Sequence, residues 1–221
     1  MNAGDPSAAS GVRKPSGSYH HGDLPQALID AAIELLAEGG PAALTLRGAA
    51  RRAGVTSAAP YKHFADKEAL MVAVAEQGFV ALRAAVEAAV RSGPTDALER
   101  FRSHGLAYVR FALEHPGHYR VMFGPEVPDK RVHPPLLQAS DGGLELLRTQ
   151  IAECQQAGYI REGSVDEIAV LAWSVVHGVA SLLIDRQIPE DLFPANERPE
   201  QLAEHALMAM FEGLGNPARQ D

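Results

Sequence analysis

The chain has 221 residues, enough for a sizeable core in one or two domains, and its 46% hydrophobic content is that of a globular protein rather than a disordered one. No apolar run approaching the ~18 residues of a membrane span is expected, the start Met1-Asn2-Ala3-Gly4-Asp5 lacks a signal-peptide pattern, and the lone Cys154 excludes an internal disulfide and a single-chain thiolate zinc site. The net charge of −8 argues against nucleic acid, yet in residues 45–67 five cations (Arg47, Arg51, Arg52, Lys62, Lys67) face Asp66 alone; that +4 segment leaves −12 for the rest, a small cationic unit on an acidic body.

Residues 1–18 are rich in Ala, Ser, Gly and Pro and are expected to form a disordered arm carrying Arg13 and Lys14. A first helix is expected from about Asp23, its N-cap, to Glu38, with Pro25 in the tolerant first turn and Gly39-Gly40 as the stop. Thr45 caps a short second helix, Leu46 to Ala53, broken by Gly54-Val55. A third must begin at Thr56 or Ser57, because Pro60 is tolerated only near a helix start, and end near Phe64. Asp66 caps a fourth, Lys67 to about Arg91. Helical patterns recur at 95–114, 117–124, 136–157, 165–187 and 198–214, with no two-residue alternation that would announce a sheet. The expected fold is all-α, with about nine helices.

Two short helices joined by a tight turn, Thr45 to Phe64, have the spacing of a helix-turn-helix. Gly54 permits a left-handed turn, Val55 plugs the angle between the helices, and Leu46, Ala49, Ala50 and Ala53 offer a small-residue packing face. The third helix is then free to enter a major groove.

The runs Leu44-Thr45-Leu46-Arg47, Ala49-Ala50-Arg51-Arg52-Ala53-Gly54-Val55, Tyr61-Lys62-His63-Phe64 and Asp66-Lys67-Glu68-Ala69-Leu70 resemble the TetR (tetracycline-repressor-like) family over about residues 23–75. Trp173-Ser174-Val175-Val176-His177-Gly178 resembles a Trp–His–Gly-containing ligand domain of one branch of that family. The resemblance implies a helix-turn-helix domain over 19–67 and an effector-binding and dimerisation domain over 68–221. It assigns phosphate contacts to Thr45, Tyr61, His63 and Lys67, and base reading to Arg47, Ser57, Ala58, Ala59 and Lys62. Phe64 is expected in the core, and Arg51 and Arg52 are either DNA ligands or solvated. The recognition helix is poor in polar side chains, so DNA shape and the Arg13/Lys14 arm are expected to assist. The adjacent His20 and His21 point apart and are expected near phosphate rather than on a metal.

Helix 165–187 is apolar nearly all round and needs partners on both sides; Ser174, Gly178 and Ser181 would allow close approach. By resemblance the last two helices pair with their symmetry mates in a homodimer. Candidate effector contacts are Phe79, Phe101, His104, Tyr108, Phe111, Met122, Phe123, Trp173 and His177, which favour a largely apolar or aromatic molecule. His177, on an apolar helix, requires a hydrogen-bond partner. The expected function is that of a cytoplasmic, ligand-responsive repressor that binds double-stranded DNA at a palindromic operator, with no cofactor, no metal and no membrane. An architectural helical protein with a vestigial DNA motif is the rival. An enzyme is disfavoured because no nucleophile motif, phosphate loop or HExxH accompanies the histidines.

Overall fold

A computed structural model describes residues 23–125, 127, 129–189, 191–192 and 198–215; Arg13, Lys14, His20 and His21 lie outside these. The helices in chain order are α1 (Leu24–Ala43), α2 (Leu46–Arg52), α3 (Lys67–Ser92), α4 (Ala97–Glu114), α5 (Pro116–Phe123), α6 (Pro134–Gln156), α7 (Val165–Ile184) and α8 (Pro199–Leu214). Two 3₁₀ turns, Pro60–Lys62 and Lys130–Val132, complete the described residues, which hold no strand beyond an isolated bridge between Ile160 and Gly215.

Local chemistry sets most helix starts. Asp23, Thr45, Asp66, Asp96 and Ser164 each accept a hydrogen bond from a backbone N–H in the first turn of α1, α2, α3, α4 and α7. Proline occupies the first turn of α1, α5, α6 and α8, where its missing N–H costs no intrahelical bond. Gly39-Gly40 acts as a kink rather than a stop: Gly40 has φ +65°, and Pro41 restarts a further turn that ends at Ala43.

The largest departure from expectation is the third helix. Residues 57–59 form a turn and Pro60–Lys62 a 3₁₀ turn, so eight α-helices stand where nine were expected. Pro60 cannot donate to Thr56. The segment instead closes through three-residue bonds, Ala59 N–H to the Thr56 carbonyl (3.0 Å) and His63 N–H to the Pro60 carbonyl (2.9 Å).

One apolar cluster runs from Leu28, Leu36, Leu46 and Phe64 through Leu70 and Val74 to Tyr119, Met122, Val176 and Leu207, so the N-terminal helices share a core with α3, α5, α7 and α8. A second gathers Phe101, Leu147, Ile151, Ile168 and Leu214. Contrary to the expectation of no membrane-length apolar run, α3 and α7 are long and apolar enough to cross a membrane by length and composition. α3 is packed by α1, α4, α5 and α6. α7 packs on α4, α6 and α8 but leaves Val170, Leu171 and Leu182 exposed.

Candidate nucleic-acid interface and effector cavity

α2 is held tightly against α1. A methyl group at Gly48 would stand 2.9 Å from Thr45 Oγ1 and 3.4 Å from Leu35 Cδ1, so glycine permits both the cap and the close approach. The Thr45 hydroxyl accepts from Gly48 N–H at 2.9 Å and keeps its own hydrogen for an outside acceptor. Gly54 then adopts φ +70°, and Val55 N–H returns to the Ala50 carbonyl at 2.9 Å.

Pro60 and Phe64 are buried and anchor the following turn from beneath. Above them Ser57, Ala58, Tyr61, Lys62 and His63 are exposed and Ala59 is half-buried. Arg47 is exposed on α2, beside this turn in the sequence order of the motif. These exposed side chains carry hydroxyl, imidazole, ammonium and guanidinium donors, the groups that meet phosphate and base edges.

Two cations of the segment have partners within the chain. Arg52 spans Glu34 and Glu38, at 3.1 and 2.6 Å, and belongs to the α1–α2 contact. The carboxylate bonds hold Arg52 protonated and keep Glu38 below its usual range. The Lys67 ammonium donates at 2.6 Å to the Pro41 carbonyl, which also accepts the capping bond from Leu44 N–H at the end of α1. That leaves Lys67 up to two further donors for phosphate.

Between α3, α4, α6 and α7 lies a cavity of about 310 Å³, within the lower range for small-molecule sites. Its walls include Phe79, Leu82 and Val86 of α3, Phe101, His104 and Tyr108 of α4, Leu144 and Leu147 of α6, and Trp173 and Val176 of α7; Phe123 of α5 also lines it. His104 Nδ1 and Gln150 Oε1 are 2.8 Å apart, and burial pushes the His104 pKa down to about 4, so the ring is neutral. A neutral ring must donate from Nδ1 to satisfy that oxygen, which leaves Nε2 as an acceptor. The Gln150 amide nitrogen is buried without a partner. Behind the wall, Trp173 Nε1–H donates to the Tyr108 hydroxyl (3.2 Å), and the hydroxyls of Tyr108 and Tyr119 meet His177 Nδ1 at 3.0 and 2.7 Å. Burial raises the pKa of both tyrosines and lowers that of His177, so this network is uncharged.

The family profile for bacterial regulatory proteins of the tetR family matches residues 28–74, and that for the tetracyclin repressor-like C-terminal domain matches residues 101–210. The chain belongs to the TetR family. Among solved structures it is similar to a protein of unknown function from Rhodococcus sp. RHA1, with 34% identity over 90% of this chain and 98% of that one (TM-score 0.76). It also shares its fold with the TetR regulator PfmR from Thermus thermophilus, at 21% identity over 84% and 97% of the two chains (TM-score 0.66). The regulator FadR from Bacillus subtilis, solved with stearoyl-CoA, shares it at 18% identity over 86% and 98% (TM-score 0.70). No protein of curated function matches the sequence.

As a TetR-family protein the chain is a DNA-binding transcription regulator. Of its nine sequence-derived effector candidates, the fold brings Phe79, Phe101, His104, Tyr108, Phe123 and Trp173 to the cavity. Three lie elsewhere. Phe111 packs at a tilt against His115, Met122 packs over Gly78, and His177 sits behind Tyr108 and Tyr119 rather than in the wall. His177 does have the hydrogen-bond partner it required, though a tyrosine pair supplies it. Sequence reading missed Arg83, Lys130, Ser140 and Asp141, all in the cavity wall. Lys130 falls between the expected helices 117–124 and 136–157; there Asp129 accepts from Arg131 N–H and caps the 3₁₀ turn. The Ser140-Asp141-Gly142-Gly143 run was a usable signal, because small and polar residues interrupt an apolar helix where Arg83 Nη1 comes within 2.6 Å of a Gly142 Cβ position.

Proposed function

We propose that this TetR-family chain is a homodimeric, non-enzymatic repressor of the cytoplasm that grips a palindromic operator through residues 45–67 and lets go when a largely apolar or aromatic small molecule enters the α3–α4–α6–α7 cavity. The DNA-binding part is 19–67 and the effector and dimer part 68–221. Thr45, Tyr61, His63 and Lys67 hold phosphates; Arg47, Ser57, Ala58, Ala59 and Lys62 face the bases.

The observation that carries this reading is the joint between cavity and DNA face. Phe123, in the cavity wall, ends α5, and α5 begins against α1: a methyl at Gly117 would lie 3.0 Å from the Ile33 carbonyl oxygen. Through that close contact of α5 on α1, a ligand that displaces Phe123 would act on α1, and with it on the helix-turn-helix. In a dimer two such units face major grooves one turn apart, about 34–36 Å, and a small shift spoils the fit. A coupling of about 1–3 kcal/mol changes DNA affinity several-fold to a hundredfold.

The dimer reading is supported by the outer face of α7. Leu171, Ser174, Gly178 and Leu182 fall on one stripe, Leu171 and Leu182 are about half exposed, and a Cβ at Gly178 would meet nothing. Footprinting on the DNA upstream of the chain's own gene tests the whole: a protected inverted repeat, bound by two chains with steep salt dependence, is expected. A monomer indifferent to duplex DNA at low ionic strength would overturn it.

A further inference from the structure

We propose that the cavity is selective for a monocarboxylate with a compact apolar body, its carboxylate seated on Lys130 beside the Phe79 and Phe123 rings. This rests on the reading of the cavity as the effector site and narrows it to one ligand chemistry.

Lys130 is half-buried in the wall of a largely apolar chamber, whose other polar residues are Arg83, His104, Ser140 and Asp141. Its ammonium lies 4.1 Å from the centre of the Phe79 ring and 5.6 Å from that of Phe123. Ring faces stabilise a cation but offer no oxygen to its three N–H donors. Among the described residues no oxygen accepts from Lys130, and no carboxylate stands within salt-bridge distance. Asp141 acts on it only from farther off, while burial lowers its pKa. The other cation of the wall, Arg83, is already engaged by Glu87 at 2.7 Å. The neutral His104 adds no charge. Among the described residues the cavity therefore holds one half-buried cation with no anion in contact, Asp141 in the same wall standing farther off, and a carboxylate would supply it with a charge-assisted hydrogen bond. Beyond that point the walls are Leu82, Val86, Phe101, Leu147 and Val176, which suit an alkyl or aryl body.

The chain's single tryptophan, Trp173, is in the same wall and reports occupancy by its fluorescence. Octanoate and octan-1-ol share an apolar body and differ at the head. Desolvation alone favours the neutral alcohol, so a preference for the acid requires a cation in the site. Titrating each into the full-length protein at about pH 7.5 should show octanoate binding about tenfold tighter than octan-1-ol, the worth of one hydrogen bond to a charged group. Lys130→Met should reverse that order while leaving octan-1-ol affinity unchanged, which also shows that the variant is folded. Lys130→Arg should keep the preference for the acid. Octan-1-ol binding the wild type as tightly as octanoate, or Lys130→Met leaving octanoate affinity intact, overturns the carboxylate assignment and leaves the effector-site reading standing. If neither probe perturbs Trp173, both fall.

Discussion

Arg47 and Lys67 are both cations of the proposed DNA face, but their surroundings differ, and so should their deletions. Arg47 is exposed and its guanidinium has the fork geometry that reads guanine. Arg47→Ala should relax preference at one operator position, seen by measuring affinity across single-base variants; uniform weakening would place it on phosphate instead. Lys67 already holds the Pro41 carbonyl. Lys67→Ala should therefore have two effects, lowering unfolding free energy by about 1 kcal/mol and reducing the salt slope of DNA binding by about one unit. A lowered stability with an unchanged slope would assign the ammonium to Pro41 alone. His104 offers a separate handle. Its folded pKa is about 4 against 6.5 unfolded, so the unfolded chain binds the extra proton and stability is lost as pH falls from 6.5 toward 4. The full loss is about 3 kcal/mol, and His104→Gln should show a correspondingly shallower decline in urea midpoint between about pH 7 and 4.5. His104 was visible in the sequence as one of the candidate effector contacts. Its partner Gln150, 46 positions away, was not.

At the scale of elements, the cap residues were legible because each acts within its own turn: Asp23, Thr45 and Asp66 all accept from the N–H group three residues on. The recognition element was harder to read. Periodicity over so short a run cannot separate an α-helix from a series of 3₁₀ turns, and Pro60 decides the matter by deleting one bond. The Gly39-Gly40 stop was misjudged for the converse reason, since Pro41 provides a fresh helix start that local rules treat as a terminator. Between α2 and the recognition turn the geometry hangs on Gly54 at φ +70°. Gly54→Ala forces a side chain into left-handed backbone and should cost about 1–2 kcal/mol in urea unfolding, with a loss of DNA affinity well beyond its loss of stability. Equal affinity in a destabilised variant would show that the turn angle does not set the position of Tyr61 and Lys62.

For the whole molecule, the charge of −8 concealed a cationic segment at residues 45–67, and the helix-turn-helix spacing and motif runs of that same segment, rather than its charge alone, pointed to DNA. The cavity was half legible. Large aromatic side chains on α3, α4, α5 and α7 marked wall positions, but which side of each helix faces inward depends on packing that a line of letters does not carry. The proposed dimer surface joins these scales. The DNA face of one chain is small, and its affinity comes from neutralised phosphates, so the salt slope counts the chains bound. Leu182→Glu places a charge on the exposed stripe of α7, where no neighbour within the chain needs the leucine's full area. Sedimentation should show a monomer with unchanged thermal stability at low protein concentration. Its DNA binding should show about half the wild-type salt slope, because half the phosphate contacts are gone. Octanoate should still perturb Trp173, since the cavity lies between helices of one chain. A dimer that survives Leu182→Glu would move the interface off this stripe, and a monomer with the full wild-type slope would mean that a single chain makes all the phosphate contacts.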